Sequence, residues 1–273
     1  MSERPALLVI AGHDPSDGPR GFAGVRADAE AIAAVGRALA ADAEALEVVP
    51  VVTAWTEQDD AAVRSIGARP SEEWGAEALA AVERLGGRLG GLKIGLLTSR
   101  ADVVTLARVV ARAREDRAEL PVVVDPVLAS SSGMDFLAAG GREALVEEVL
   151  PLGVDWTPNR DEATALVGPA AGAGREALIA QAAAFLERGA GAVLLKGGHG
   201  GEDPVLDLLL ERAGEPSWFE HPRLPVSLRG TGCRLASAWC AAQALGLGRP
   251  EAARLAVRLL AARLAAERER NRT

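Results

Sequence analysis

The chain has 273 residues, of which 49% are hydrophobic and 25% charged, with a formal net charge of −8. That balance is typical of a soluble globular protein with a sizeable core. The acidic surplus argues against a general binder of nucleic acid or anionic membranes. The first apolar run spans only about six residues and no later one reaches about eighteen, so neither a signal peptide nor a membrane span is expected, and the cytoplasm is.

In chain order, short β-rich runs alternate with longer helical patterns. "ALLVIAG" (6–12) predicts a buried strand, residues 25–46 a helix, and "EVVPVVTAW" (47–55) a second strand. Residues 71–86 predict a helix capped by Ser71, with acids in its first turn as an N-terminus prefers. Strand "LKIGLL", helix 99–117 and strand "PVVVDPV" (121–127) follow, then a short strand near Val154–Thr157, helix 174–188 and strand "GAVLLKGG" (191–198). "PVLDLLL" and "SWFEHP" read as two further strands, and helices at 231–246 and 250–269 close the chain. The alternation and the continuous apolar strands predict one α/β domain over residues 1–273, with a parallel sheet covered by helices on both faces. Ligands of such sheets sit at the carboxyl ends of the strands. There this chain carries "GHDPSDG", "TEQDD", "DPVLASSSG", "TPNRDE" and "KGGHGG".

Two residue types are scarce enough to be informative. The cysteines, Cys233 and Cys240, are seven apart, about 10 Å along a helix and too far for a disulfide. Cys240, in "ASAWCAAQAL", reads as a small buried apolar residue. The only lysines, Lys93 and Lys196, lie in or beside apolar strand-like runs, where a charge is costly without a partner. The acidic pair Asp59–Asp60 reads as a solvated turn, and His13 and His199 as loop groups.

"RGTGC" places Gly230, Thr231, Gly232 and Cys233 at a predicted helix start. The free N–H groups of a first turn form an anion site, reinforced by the helix dipole. No GxxxxGK[ST] loop occurs in the chain. A thiol at a helix start is expected to ionise more readily than a free one. Asp125 at a strand end, the N-x-x-E pair Asn159 and Glu162, and Lys196 in "LLKGGH" add acids for a hydrated metal and a cation for phosphate oxygens. These are the parts that phosphoryl transfer requires.

The order of these motifs resembles the ribokinase-like superfamily. Within it, the chain is similar to the hydroxymethylpyrimidine/phosphomethylpyrimidine kinases of thiamine biosynthesis, which have cysteine where most sugar kinases of the superfamily have aspartate. "VIAGHDPS", with Gly12, resembles the family's opening strand and turn. "FAGVRADAEAIAAVG" resembles its G-A-G-I-Q-A-D segment and puts Ala23, Gly24 and Asp28 at pyrimidine-site positions. "VVTAWTEQ" is similar to the family strand that ends in a substrate-reading glutamine, here Gln58, and "KIGLL" resembles K-I-G-M-L, which implies Leu96 against the ring with Val127 of "DPV" nearby.

The resemblance implies a mostly parallel ribokinase-like sheet and ATP- and Mg2+-dependent phosphorylation of 4-amino-5-hydroxymethyl-2-methylpyrimidine and its monophosphate by a homodimer. Lys196, Asn159 and Glu162 would then serve the nucleotide, Asp125 and Glu162 the metal, and Cys233 would accept the hydroxymethyl proton within the cradle. A pyridoxal kinase and a catalytically weak pyrimidine- or nucleotide-binding regulator are the alternatives. The chain departs from the family pattern in the inserted "DGPRG" after "GHDPS", expected to close over the acceptor with Arg20. It departs again in Arg229 in place of histidine, Arg234 in place of a small hydroxyl residue, and Met134 inside the S-G-D motif.

Overall fold

The side chains of β1 (Ala6–His13) alternate between two cores. Leu8 and Ile10 pack into one, Leu7, Val9 and Ala11 into the other. This two-residue period with apolar side chains on both sides is expected of a central strand in a doubly covered parallel sheet. The computed structural model describes residues 4–270 apart from 17–20, 41, 43, 59–61, 131–132, 171–173, 199–203 and 227. Arg20 with most of the inserted loop, the Asp59–Asp60 pair and His199 therefore lie outside the described residues.

Among the described residues nine strands form one sheet in the order β3-β2-β1-β4-β5-β6-β7-β8-β9. β2 (Glu47–Gln58), β1, β4 (Leu89–Ile94), β5 (Val122–Val124), β6 (Asp155–Trp156) and β7 (Ala192–Leu195) run parallel. The antiparallel strands β3 (Val63–Ala68), β8 (Val205–Glu211) and β9 (Ser217–His221) extend the edges. The mostly parallel α/β architecture is as expected. β3 is an addition: "VRSIGA" alternates weakly and lies largely exposed on an edge, so it carries little hydrophobic pattern.

Helices α1 (Val25–Ala40), α7 (Thr231–Ala244) and α8 (Arg249–Arg270) cover one face. On the other face lie α2 (Ser71–Leu85), α3 (Arg100–Arg114), α4 (Gly141–Ala144, prolonged by a π turn and a 3-10 turn), α5 (Arg160–Val167) and α6 (Gly174–Glu187). Two local expectations change. α2 begins after Pro70, and Ser71 is its first helical residue rather than its cap. α5 is a helix where none was predicted. Asn159 accepts from the Glu162 amide and the Glu162 side chain accepts from the Asn159 amide, a reciprocal capping box that starts it. Ser99 and Asp102 start α3 in the same way, and Trp74 also donates to Asp102 (3.0 Å).

Candidate active site

At the carboxyl ends of the parallel strands a cavity of about 830 Å³ opens. Every predicted site residue but one lines it: Gly12, Ala23, Gln58, Leu96, Val127, Asp125, Asn159, Glu162, Lys196, Gly230, Thr231, Gly232 and Cys233. Their convergence follows from the sheet. Gln58 ends β2, Asp125 follows β5, and Lys196 follows β7. Gly12 and Leu96 meet because β1 and β4 are neighbours, and a Cβ on Gly12 would come within 2.6 Å of the Leu96 side chain.

The cradle is the start of α7. Gly230 caps it with φ of 70°, a left-handed conformation that favours glycine, and a Cβ there would stand 2.9 Å from the Phe22 carbonyl oxygen. Gly232 matters for space instead. A Cβ on it would lie 3.1 Å from Lys196 Nζ and 3.2 Å from Asp125 Oδ2, so its absence lets the helix start close onto that pair.

Lys196 Nζ donates to Asp125 Oδ1 (2.8 Å) and lies 3.7 Å from Glu162 Oε2, while Thr157 Oγ1 donates to the same Asp125 oxygen (3.1 Å). Burial alone would lower the Lys196 pKa, but the carboxylates of Asp125 and Glu162 outweigh it and hold the ammonium charged. Burial pushes the Glu162 carboxyl up to about 7; Lys196 pulls it back and Asp125 repels it further. Two carboxylates thus share one cation. The N-x-x-E motif does two jobs, because the capping box that starts α5 also fixes Glu162 beside Lys196.

Asp28 is the exception. It was expected to face the acceptor, but it is fully buried behind the cavity wall. Its Oδ1 accepts from Lys93 Nζ (2.8 Å) and from Ser237 Oγ (2.7 Å). The reason is geometric: it lies on the inward face of α1, with Ala27, Ala31 and Ile32, over β4 where Lys93 points up. Lys93 had drawn attention only as a rare lysine, and it is this pair's other half.

The thiol of Cys233 also departs from expectation. Burial pushes it up to about 11; Lys93 draws it down, and Asp28 and Asp125 push it up again. The favourable field of the helix start is outweighed here first by burial and then by the two carboxylates. Cys240 is fully buried and its thiol donates to the Leu92 carbonyl (3.2 Å), as a packing residue should.

Residues not singled out also line the cavity. Asp14 follows β1. Asp207 accepts from the Gly197 amide (2.8 Å) and faces His221 Nε2 (3.2 Å), whose pKa is raised chiefly by that hydrogen bond. Asp207 and His221 meet only because β8 and β9 pair antiparallel, which neither strand's own pattern specifies.

The family described as phosphomethylpyrimidine kinase matches residues 18–272. The chain is 34% identical over 253 residues to a hydroxymethylpyrimidine/phosphomethylpyrimidine kinase of Streptomyces coelicolor, covering 92% of this chain and 86% of the relative. It is 30% identical over 240 residues to the Escherichia coli protein of that description, covering 88% and 83%. Among solved structures, a phosphomethylpyrimidine kinase from Clostridium difficile superposes with a TM-score of 0.74 at 25% identity, covering 97% of this chain and 99% of that one. A Staphylococcus aureus pyridoxal kinase in complex with AMP-PCP superposes with a TM-score of 0.79 at 24% identity, covering 95% and 88%, a likeness of fold.

Proposed function

Because the chain belongs to the phosphomethylpyrimidine kinase family and is a kinase, we propose that it transfers the γ-phosphoryl group of ATP to 4-amino-5-hydroxymethyl-2-methylpyrimidine and to its monophosphate, in thiamine biosynthesis. The observation that carries this reading is the meeting of the α7 cradle with Lys196, Asp125 and Glu162 in one cavity. In the first step the hydroxymethyl oxygen attacks the γ-phosphorus, the bond to the β–γ bridging oxygen breaks, and ADP leaves with that electron pair. The amides from Gly230 to Cys233 meet charge on the transferred group, and Lys196 meets the phosphates of ATP. Asn159, by capping α5, holds Glu162 in place. Gln58 offers a donor and an acceptor to the aminopyrimidine edge, since its own contact to Thr56 is a long 3.5 Å. Leu96 and Val127 supply apolar wall.

Cys233 takes the hydroxymethyl proton in this reading. Its thiolate is the minor form at neutral pH, and the rate with the alcohol should climb as pH rises toward about 11.

Asp125 and Glu162 suit magnesium. No group of three or more acidic, histidine or cysteine side chains gathers as a metal site among the described residues, and magnesium needs only one or two carboxylates, with water and phosphate completing its shell. Asp125 and Glu162 both stand beside Lys196, which gives two carboxylates to one cation. The bound ion would neutralise phosphate charge there.

No helix among the described residues is long and apolar enough to cross a membrane. We place the protein in the cytoplasm as a homodimer, which light scattering of the purified protein checks. The direct test is purified protein with ATP and magnesium, offered hydroxymethylpyrimidine, its monophosphate and pyridoxal separately. Turnover of the first two supports the reading. Turnover of pyridoxal alone replaces it with a pyridoxal kinase, and binding without turnover with a regulator.

A further inference from the structure

Two arginines flank the cradle within five residues, and they are used in opposite ways. Arg234 spends its guanidinium fully: Nε and Nη2 donate to Glu30 (2.9 and 2.6 Å), and Nη1 donates to the carbonyls of Phe22 (3.2 Å) and Arg229 (2.6 Å). Arg229 is 9% exposed and lines the cavity, yet its Nε, Nη1 and Nη2 have no hydrogen-bond partner among the described residues. Among the described residues its one opposite charge is Asp14, whose Oδ2 stands 3.4 Å from Nη1 and likewise has no hydrogen-bond partner there. Asp14 gives its other oxygen to the amide and hydroxyl of Ser16. A guanidinium carries five N–H donors in a planar fork, and burying them unused is expensive. The pair with Asp14 holds the side chain in place without consuming the fork.

The position of that fork matters as much as its vacancy. Lys196, Asp125 and Glu162 stand on one side of the cradle, next to Gly232. Arg229 stands on the other, against Asp14 at the end of β1, where Gly12 and Ala23 also line the cavity. A kinase acting on an alcohol meets anionic charge only on its donor. One that acts on a phosphate must bring two phosphates together and needs cationic charge on both sides of the transfer.

We propose that Arg229 reads the phosphate already carried by the acceptor and sets a preference for the phosphorylated acceptor over the free alcohol. This rests on the functional reading above and adds to it which acceptor the site favours. In the step concerned, an oxygen of the acceptor phosphate attacks the γ-phosphorus of ATP. The bond from that phosphorus to the β–γ bridging oxygen breaks, ADP leaves with the electron pair, and the acceptor becomes a diphosphate. A phosphate monoester has its second pKa near about 6, so at neutral pH the attacking oxygen is mostly deprotonated already. A planar fork suits two phosphate oxygens at once, which a histidine at that position could not offer.

The test compares wild type, Arg229→Gln and Arg229→Lys with ATP and magnesium. It reads kcat/KM for each acceptor, and calorimetric binding of the pyrimidine monophosphate without nucleotide. Arg229→Gln should shift the ratio of the two kcat/KM values toward the alcohol by about tenfold to a hundredfold, the range for a charged hydrogen-bonding group. Monophosphate binding should weaken by a similar factor. Arg229→Lys keeps a charge beside Asp14 and should shift the ratio in the same direction by less, so it carries the test if the glutamine variant folds poorly. An unchanged ratio in the variants that fold, a loss confined to KM for ATP, or a wild type that accepts only the alcohol would overturn the assignment and leave the kinase reading standing. A wild type that phosphorylates neither pyrimidine brings down the functional reading, and this inference with it.

Discussion

The chain has two lysines, and each meets an aspartate at 2.8 Å. Lys93 and Asp28 are sealed, both side chains at 0% exposure, with a serine hydroxyl completing one carboxylate oxygen. Lys196 and Asp125 open onto the cavity, and a second carboxylate, Glu162, presses on the same ammonium. The first pair is balanced in charge and excludes solvent, so it offers a ligand nothing. The second carries surplus negative charge at the edge of an anion cradle, an arrangement that a phosphate and its accompanying cation would complete. The same two residue types at the same distance are sealed in one place and open to the cavity in the other, and what separates them is the third charge and access to the cavity.

Breaking the sealed pair should have the largest effect. Lys93→Met leaves Asp28 buried and uncompensated, a loss of about 3–5 kcal/mol in urea unfolding. Adding Asp28→Leu should recover most of it. If the single variant is as stable as wild type, Lys93 is not the support described. In the open pair the loss moves to catalysis: Lys196→Met should lower kcat/KM about 10²–10³-fold, the scale for one cation or donor at a transferring group, with a smaller stability loss than Lys93→Met. Equal stability losses with turnover retained would erase the contrast between the lysines.

Cys233 lies between the two pairs and sharpens the comparison. With the alcohol acceptor, Cys233→Ser should lose at least about tenfold in kcat and flatten the rise of rate with pH. The monophosphate, which needs no proton removed, should be affected less. Wild-type turnover of both acceptors across the pH range would make the cysteine a packing residue.

The smallest effect concerns Glu162. Its folded pKa of about 7 lies above the ordinary 4.5, so the folded state binds more protons than the unfolded chain between those values. That contribution is fully present below pH 4.5 and is lost as pH rises through about 7. Glu162→Gln should flatten that part of the melting-temperature profile of the ligand-free protein, and an identical slope in the variant would show that Glu162 does not titrate there.

The sequence carried the strand ends well, because a functional residue after a buried parallel strand is announced by the apolar run before it. Asp125, Lys196 and Gln58 were placed at the cavity in that way, and the glycines of the cradle by the helix start that follows them. What was not legible depended on contacts distant in sequence. Asp28 and Lys93 are 65 residues apart and meet only when α1 lies over β4. The thiol of Cys233 was misjudged because its helix start was visible in the sequence, whereas its burial, and the carboxylates of Asp28 and Asp125 near it, were not. α5 was hidden by its brevity, although its capping box was in view as an isolated N-x-x-E.

The brace at Arg234 has a consequence for how the molecule is assembled. It ties the first turn of α7 to Phe22, 212 residues earlier, and to Glu30, which Arg263 of α8 also grips. The cradle therefore comes into register only after nearly the whole chain has been synthesised and its most distant segments have met. Such non-local contacts form late, because loop-closure entropy must be met before they contribute. A chain whose C-terminal helices have not yet docked would hold a sheet without a phosphate site. A nucleotide would then bind and stabilise only the completed fold, and ligand affinity during refolding would follow the last contacts made rather than the first.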